Sequence, residues 1–416
     1  MSEDEAVRLS TPSAPDVGML GGLRVLDLAG DSLAYAGRVL VELGADVILI
    51  EPPGGCAARR HPPLVTMTTG ATVSAFFAYM AAGKRSVTID DTAHAGRSLL
   101  ERLIVDADVV LLPDDVDAIK SRSLDETTLR SLNEGLIVTS LTPFGGNGPK
   151  RHWKGSELVA WASSGIMAGM GDPDRPPILP GGGIAQSVSS LNATIGTLLA
   201  LRSRQRTTRG QLVDISMQEG VLSISLESGP LLALEGRSQA RIANKRHIGP
   251  AHGLFAVQDG SVEIVAILPR QWDAMAEWIR DELGIEEATL DVFRGSQVSR
   301  TQFTELINSW VVELAGRYTK EAFFTEAQRR HIPSGLLNST ADLLHHPQLD
   351  AVGGWEEVEY VDAGQFRSPR GPISFDGVAV HVGPVPRAGQ DNDEIFRTRL
   401  GLSEAEILRL HADGVI

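Results

Sequence analysis

The chain has 416 residues, 42% apolar and 22% charged, a balance that excludes extensive disorder and allows two or three domains with a cleft between them. Its 38 Lys and Arg stand against 53 Asp and Glu, and the resulting net charge of −15 argues against non-specific binding of nucleic acid or of an anionic membrane. A single cysteine, Cys56, excludes an intrachain disulfide and a cysteine-rich zinc site. In chain order, residues 1–20 are polar and acidic and read as a flexible tail, without the basic and apolar regions of a signal peptide. The apolar runs are short and none approaches a membrane span, so the expected location is cytoplasmic.

Leu23–Leu28, the helical spacing of Tyr35–Leu43 and the strand Asp46–Ile50, which ends at Glu51, form a βαβ unit. Strands at Ser86–Ile89, Asp108–Leu112 and Leu136–Leu141 continue the alternation, with a helix over Gly96–Val105. Short apolar strands separated by helices imply an open α/β domain with a parallel, Rossmann-like sheet covered on both faces. A glycine-rich loop, Pro143–Pro149, precedes a helix over Glu157–Met167. A long helix then carries Val188, Leu191, Ile195, Leu198 and Leu199 and closes on the basic turn Arg202–Arg209. Gly253–Leu268 alternates like an antiparallel ribbon with its turn at Asp259–Gly260. The expected division is a large domain from 21–224, a smaller α+β domain over 225–330, and a C-terminal segment 331–416 that returns to the large domain. Ser403 and Glu406 mark a capping box near the end.

Several familiar motifs fail. The turn after the first strand lacks GxGxxG, so Glu51 reads as a strand-end residue rather than a ribose ligand. No GxxxxGK[ST], HExxH or GxSxG occurs, and the adjacent His345–His346 cannot aim two rings at one metal from one helix face, so no metal site is expected. Cys56 has no partner histidine fixed by spacing and reads as a small packing residue.

Taken together, LGADVILIE (Leu43–Glu51), GKRSVTID (Gly83–Asp90), TPFGGNGP (Thr142–Pro149), SGIMAGM (Ser164–Met170), GTLLALRSRQRTTRGQLVDISM (Gly196–Met217), IPSGL (Ile332–Leu336) and HPQL (His346–Leu349) run in the order found in the family III CoA-transferases. The chain resembles that family, which includes formyl-CoA transferase and alpha-methylacyl-CoA racemase. The resemblance implies an interlocked dimer, coenzyme A or an acyl-CoA as substrate, and an aspartate that attacks the thioester or moves an α-proton. It also implies where this chain departs. Gln186 stands at the position of that aspartate, and a carboxamide is neither base nor effective nucleophile at neutral pH. Ser156 stands at the racemase histidine. Lys154 and Glu157 match a lysine and an acidic residue lining the family's site, although Glu157 reads equally as a helix-start residue favoured by the dipole.

For the CoA phosphates the candidates are Arg59, Arg60, Lys84, Arg85, Lys120 and Arg122, while Pro113–Asp114 replaces a favourable family pair and puts a like charge nearby. Three readings are open at this point. One is an enzyme acting on acyl-CoA without the aspartyl anhydride (a divergent transferase, lyase, dehydratase or isomerase). Another is a non-catalytic subunit, forming a heterodimer with an active paralogue rather than a homodimer. The third is an ordinary transferase in which Asp172 or Asp174 serves, though both sit in a Gly/Pro-rich loop that suits turn residues.

Overall fold

The computed structural model describes residues 18–28, 30–112, 116–225, 228–236, 241, 247–376 and 382–416. The described residues divide into two compact units: those within 18–170, 177–236 and 350–416 form the first, and those within 171–176 and 241–349 the second.

In the first unit the strands are β1 (Arg24–Asp27), β2 (Asp46–Glu51), β5 (Arg85–Thr88), β6 (Val109–Leu112), β7 (Ile137–Thr142) and β8 (Leu212–Ser216), with a small hairpin of β3 (Leu64–Thr66) and β4 (Thr72–Ser74) inserted after β2. The six form one sheet in the order β5-β2-β1-β6-β7-β8, every neighbouring pair parallel. This is the doubly wound order, whose direction of strand addition reverses between β1 and β6. Alternation along each strand supplies both faces. Val25, Val109 and Leu111 pack on one side with Leu40, Ala185 and Ala193, and Leu26, Val110 and Leu112 on the other with Leu100, Phe396 and Ile407.

The helices of this unit include α1 (Ala34–Glu42), α2 (Ala75–Ala81), α3 (His94–Val105), α4 (Val116–Ser121), α5 (Glu126–Leu132), α6 (Glu157–Ser163), α7 (Ile184–Thr207), α8 (Met217–Ser223) and α9 (Ser228–Glu235). Two sequence expectations shift. The expected helix over Glu157–Met167 ends at Ser163, because Gly165 takes φ +84° and breaks the ladder. The expectation that no segment approaches a membrane span is corrected by α7, which is long and apolar enough by length and composition. Its contacts identify it as a core helix of the sheet layer, packed on α1, α8, β7 and β8.

In the second unit β9 (His247–Gly249), β10 (His252–Val257), β11 (Gly260–Val265) and β12 (Ser334–Leu336) form an antiparallel sheet in the order β12-β11-β10-β9. Helices at Pro269–Leu283, Thr304–Ala315 and Lys320–Arg329 cover it, burying Trp272, Trp278, Trp310 and Phe323. The unit runs to Leu349 rather than 330 because Ser334–Leu336 pairs with Val262–Ile264. The ribbon turn also sits one residue earlier than expected: Val257 pairs with Gly260, leaving Gln258–Asp259 as the turn. Residues 350–416 return to the first unit, bringing the hairpin β13 (Trp355–Tyr360) and β14 (Gly364–Pro369) and two closing helices, the last capped by Ser403 with Glu406.

Candidate active site

Glycines lead into α7. Gly182 and Gly183 both take positive φ, and Gly183 at +66° turns the chain so that the amides of Ala185 and Gln186 point outward from the helix start. No side chain of the helix itself caps them. Glu157, the first residue of α6, does so from outside. Its Oε1 accepts from the Ala185 N–H at 2.7 Å and its Oε2 from the Gln186 N–H at 3.1 Å, while the Trp161 indole N–H donates to Oε1 at 3.0 Å. The α7 dipole favours a carboxylate there. Three N–H groups thus make its carboxylate a cap on the start of α7.

Gln186 lies half-buried on the wall of a cavity of about 350 Å³. One wall is apolar, from Tyr35, Pro62, Pro63, Phe76 and Met80, and the other carries Gly182, Gly183, Ser187 and Ser190 from the start of α7. The Ser190 hydroxyl donates to the Ser32 carbonyl at 2.6 Å, pinning α7 to the turn that follows β1. Asp31 on that turn and His61 beyond β2 complete the lining. The cavity therefore opens beside the carboxyl end of β1, next to the point where strand order reverses, the position where open parallel sheets place ligands.

The basic candidates fall into two groups. Lys84 corrects the expectation: its side chain is 1% exposed, its ammonium donates to Asp27 Oδ2 at 2.7 Å and to the Ala34 carbonyl at 3.0 Å, and it cannot reach a phosphate. Gly37 shows how tightly this pair is enclosed, since a Cβ there would lie 2.6 Å from the Asp27 carboxylate. Arg59 is likewise committed, forked on Glu51 at 2.7 and 2.6 Å and stacked over Phe77. Burial alone would raise the Glu51 carboxyl, but the Arg59 guanidinium, the Ser86 hydroxyl and the Cys56 amide together hold it below the usual range. Arg85 pairs with Glu394 at 2.7 Å and Arg122 with Asp91 at 2.7 Å. Arg60 and Lys120 are exposed and keep their charge toward solvent. Lys154 is exposed on the segment leading into α6, and Ser156 is the residue before that helix. Pro113–Asp114 lie outside the described residues.

Asp172 accepts the Asp174 N–H at 3.1 Å, a turn contact, in the segment 171–176 that groups with the second unit. Among the described residues no three His, Cys, Asp or Glu side chains come together to hold a metal. Sequence reasoning missed His61 and Asp31. Their separation of thirty positions carries no motif, and only the sheet brings the turn after β1 and the loop after β2 to one cavity.

Comparison with known proteins adds a second line of observation. The profile described as CoA-transferase family III matches residues 20–392. The chain is 30% identical to the succinyl-CoA–L-malate CoA-transferase alpha subunit of Chloroflexus aurantiacus, over 98% of this chain and 95% of that one. It is 31% identical to the succinyl-CoA–D-citramalate CoA-transferase of the same organism, over 95% and 98%. Among solved structures it is similar to a CaiB/BaiF family protein from Brucella suis, with a TM-score of 0.80 at 26% identity, covering 91% of this chain and 98% of that one.

Proposed function

Because the chain belongs to CoA-transferase family III, we propose that it binds an acyl-CoA and processes the acyl group without a covalent aspartyl intermediate. The feature that carries this reading is the wall of the cavity at the head of α7, which bears a carboxamide, Gln186, at the position where the family resemblance implies an aspartate. The nearest carboxylate on that helix start, Glu157, is held by three N–H donors. Nucleophilic attack needs a basic oxygen that can reach the thioester; the Gln186 carboxamide is too weakly nucleophilic, and the Glu157 oxygens are engaged by those N–H donors. The apolar wall suits an acyl chain, and Arg60 and Lys120 are the cations left for the phosphates. Chemistry on such a substrate is then proton transfer, elimination or isomerisation at the acyl carbons, or transfer without an anhydride.

The test is mass spectrometry of the protein after incubation with an acyl-CoA panel and hydroxylamine. The expected result is no hydroxamate on any carboxylate of the natural chain. Gln186→Asp, which restores the family's residue, should fold normally and acquire an acyl adduct. A hydroxamate on the natural chain would overturn the reading in favour of ordinary transfer.

A second reading is a non-catalytic subunit paired with an active paralogue. It is favoured by one observation, that a relative similar over 95% of its own length is named as an alpha subunit. Acyl-CoA binding without turnover of any panel member, together with co-purification of a second family member, would support it. In either case we propose a dimer as the working assembly.

A further inference from the structure

The cavity beside Gln186 is lined in part by a histidine, His61, whose side chain is 45% exposed and whose backbone is tied at several points. His61 follows the short turn Ala57–Arg60. Its backbone N–H donates to the Ala58 carbonyl at 3.1 Å, and its own carbonyl accepts from the Ser74 hydroxyl at 2.6 Å. Ser74 also caps α2 by accepting the Phe77 N–H at 3.1 Å, so the loop is tied to a helix start. The imidazole lies against the Phe76 ring, with centroids 4.7 Å apart. Its Nδ1 is 2.7 Å from the Pro62 carbonyl. A carbonyl only accepts, so Nδ1 carries the hydrogen and Nε2 is the atom that gains and loses a proton.

Nε2 stands 4.0 Å from Asp31 Oδ2, and both residues line the same cavity as Gln186. A partly exposed ion pair at that distance contributes little to stability. The tautomer is fixed by a backbone carbonyl, the ring lies tilted against Phe76, and a carboxylate stands near the nitrogen that would take up a proton, where it favours the imidazolium over the neutral ring.

Building on the reading that an acyl thioester enters this cavity, we propose that His61 is the catalytic acid/base of the site, with Asp31 as the nearby anion that favours its protonated form. Nε2 takes a proton from the α-carbon of the acyl group. The C–H bond breaks, the N–H bond forms, and the electron pair moves into the thioester as an enolate. Asp31 lies near the imidazolium so formed, and the side-chain carboxamide N–H of Gln186 on the same cavity wall is a donor for the enolate oxygen. Return of a proton from Nε2 to carbon closes the cycle, with no oxidant, reductant or further reactant. The substrate class is an acyl-CoA bearing at least one α-hydrogen, and a Gln at 186 suits this chemistry because it donates where an aspartate could only accept.

The test uses the full-length chain with acetyl-CoA, propionyl-CoA and succinyl-CoA in D₂O, following loss of the α-proton signal by NMR, with binding of each thioester measured by calorimetry on the same preparations. The natural protein should exchange the α-hydrogen of at least one of them. His61→Ala should still bind that thioester and, at saturating thioester, lose exchange by ~100-fold or more, the scale of a general base. Added imidazole should restore part of the rate in His61→Ala, which a purely structural loss would not permit. His61→Asn, which keeps a side-chain N–H for the Pro62 carbonyl, should be as inactive as His61→Ala while matching the natural protein in thermal unfolding. Asp31→Asn should retain binding and slow exchange less than the His61 variants. Binding without exchange in the natural protein overturns the role of His61 and leaves the acyl-CoA reading standing. Exchange that survives both His61 substitutions does the same. Failure of every thioester and of CoA itself to bind overturns both.

Discussion

The thiol of Cys56 is buried beneath the turn that carries Arg59, and its amide donates to Glu51 Oε2 at 2.9 Å. Burial, then the negative charge of Glu51, push the thiol up to about 12. The thiolate that reacts with electrophiles is therefore scarce at neutral pH. We expect labelling by a disulfide reagent at pH 8 to be slow in the native protein and to proceed at the rate of unfolding; rapid stoichiometric labelling of the folded chain would contradict the assignment. The same small region explains why two sequence-nominated cations are unavailable to a ligand. Arg59 neutralises a buried glutamate and Lys84 a buried aspartate, and removing either partner would leave an uncompensated charge inside the sheet layer. Such losses cost ~3–5 kcal/mol. Reduced CoA affinity in Lys84→Ala would thus report misfolding, whereas Arg60→Ala should weaken CoA binding, measured by calorimetry, with thermal unfolding unchanged.

At the scale of elements, α7 does two jobs with two faces. Ala185, Ser189, Ala193 and Ala200 are buried against the sheet layer, and their small side chains let the helix lie close to β7 and β8. The opposite face presents Leu191, Ile195 and Leu199, at i, i+4 and i+8, exposed by 41%, 56% and 64%. The start of the helix depends on Glu157, a cap supplied by another helix rather than by the preceding residue, which is a glycine. Glu157→Ala removes both acceptors and should destabilise the protein by ~1 kcal/mol, on the scale of other capping losses. The check is the urea midpoint, and an unchanged midpoint would mean that water caps the helix equally well. If the carboxylate were instead an acid/base group, the substitution would abolish turnover with stability intact.

For the whole molecule, the exposed stripe of α7 provides an apolar surface suited to a second copy or a paralogue. We expect native mass spectrometry at low micromolar concentration to give a dimer, and Ile195→Glu to shift it toward monomer; a stable monomer of the natural protein would count against the homodimer. Acid stability tests the other global feature. Glu51 has its carboxyl held below the ordinary value of 4.5, so its contribution is complete above that value and is lost as pH falls through the depressed folded one. Stability should therefore decline on the acid side below pH ~5, and Glu51→Gln, less stable at pH 7, should show a shallower acid slope. An identical slope would place the acid-labile groups elsewhere.

Much of this architecture was written locally. Strand and helix periods in LRVLDL, DVILI and LIVTSL lie within short windows, and each apolar run needs only its own neighbours to declare itself. The ordered family segments reach further and carried the CoA expectation and the anomaly at Gln186. What the chain could not declare locally was which charges meet. Lys84 and Asp27 are 57 positions apart, Glu157 and Ala185 28 apart, and the pairing of either depends on sheet order and helix approach rather than on spacing. The same reason hid His61 and Asp31, which join one cavity only after β1 and β2 lie side by side. Local sequence determined the α/β class and its elements, because hydrophobic period and residue type act over a few residues. Tertiary structure alone decided which ionisable groups are spent in the core and which face the cavity, because charge pairing and burial are properties of neighbours brought together by folding.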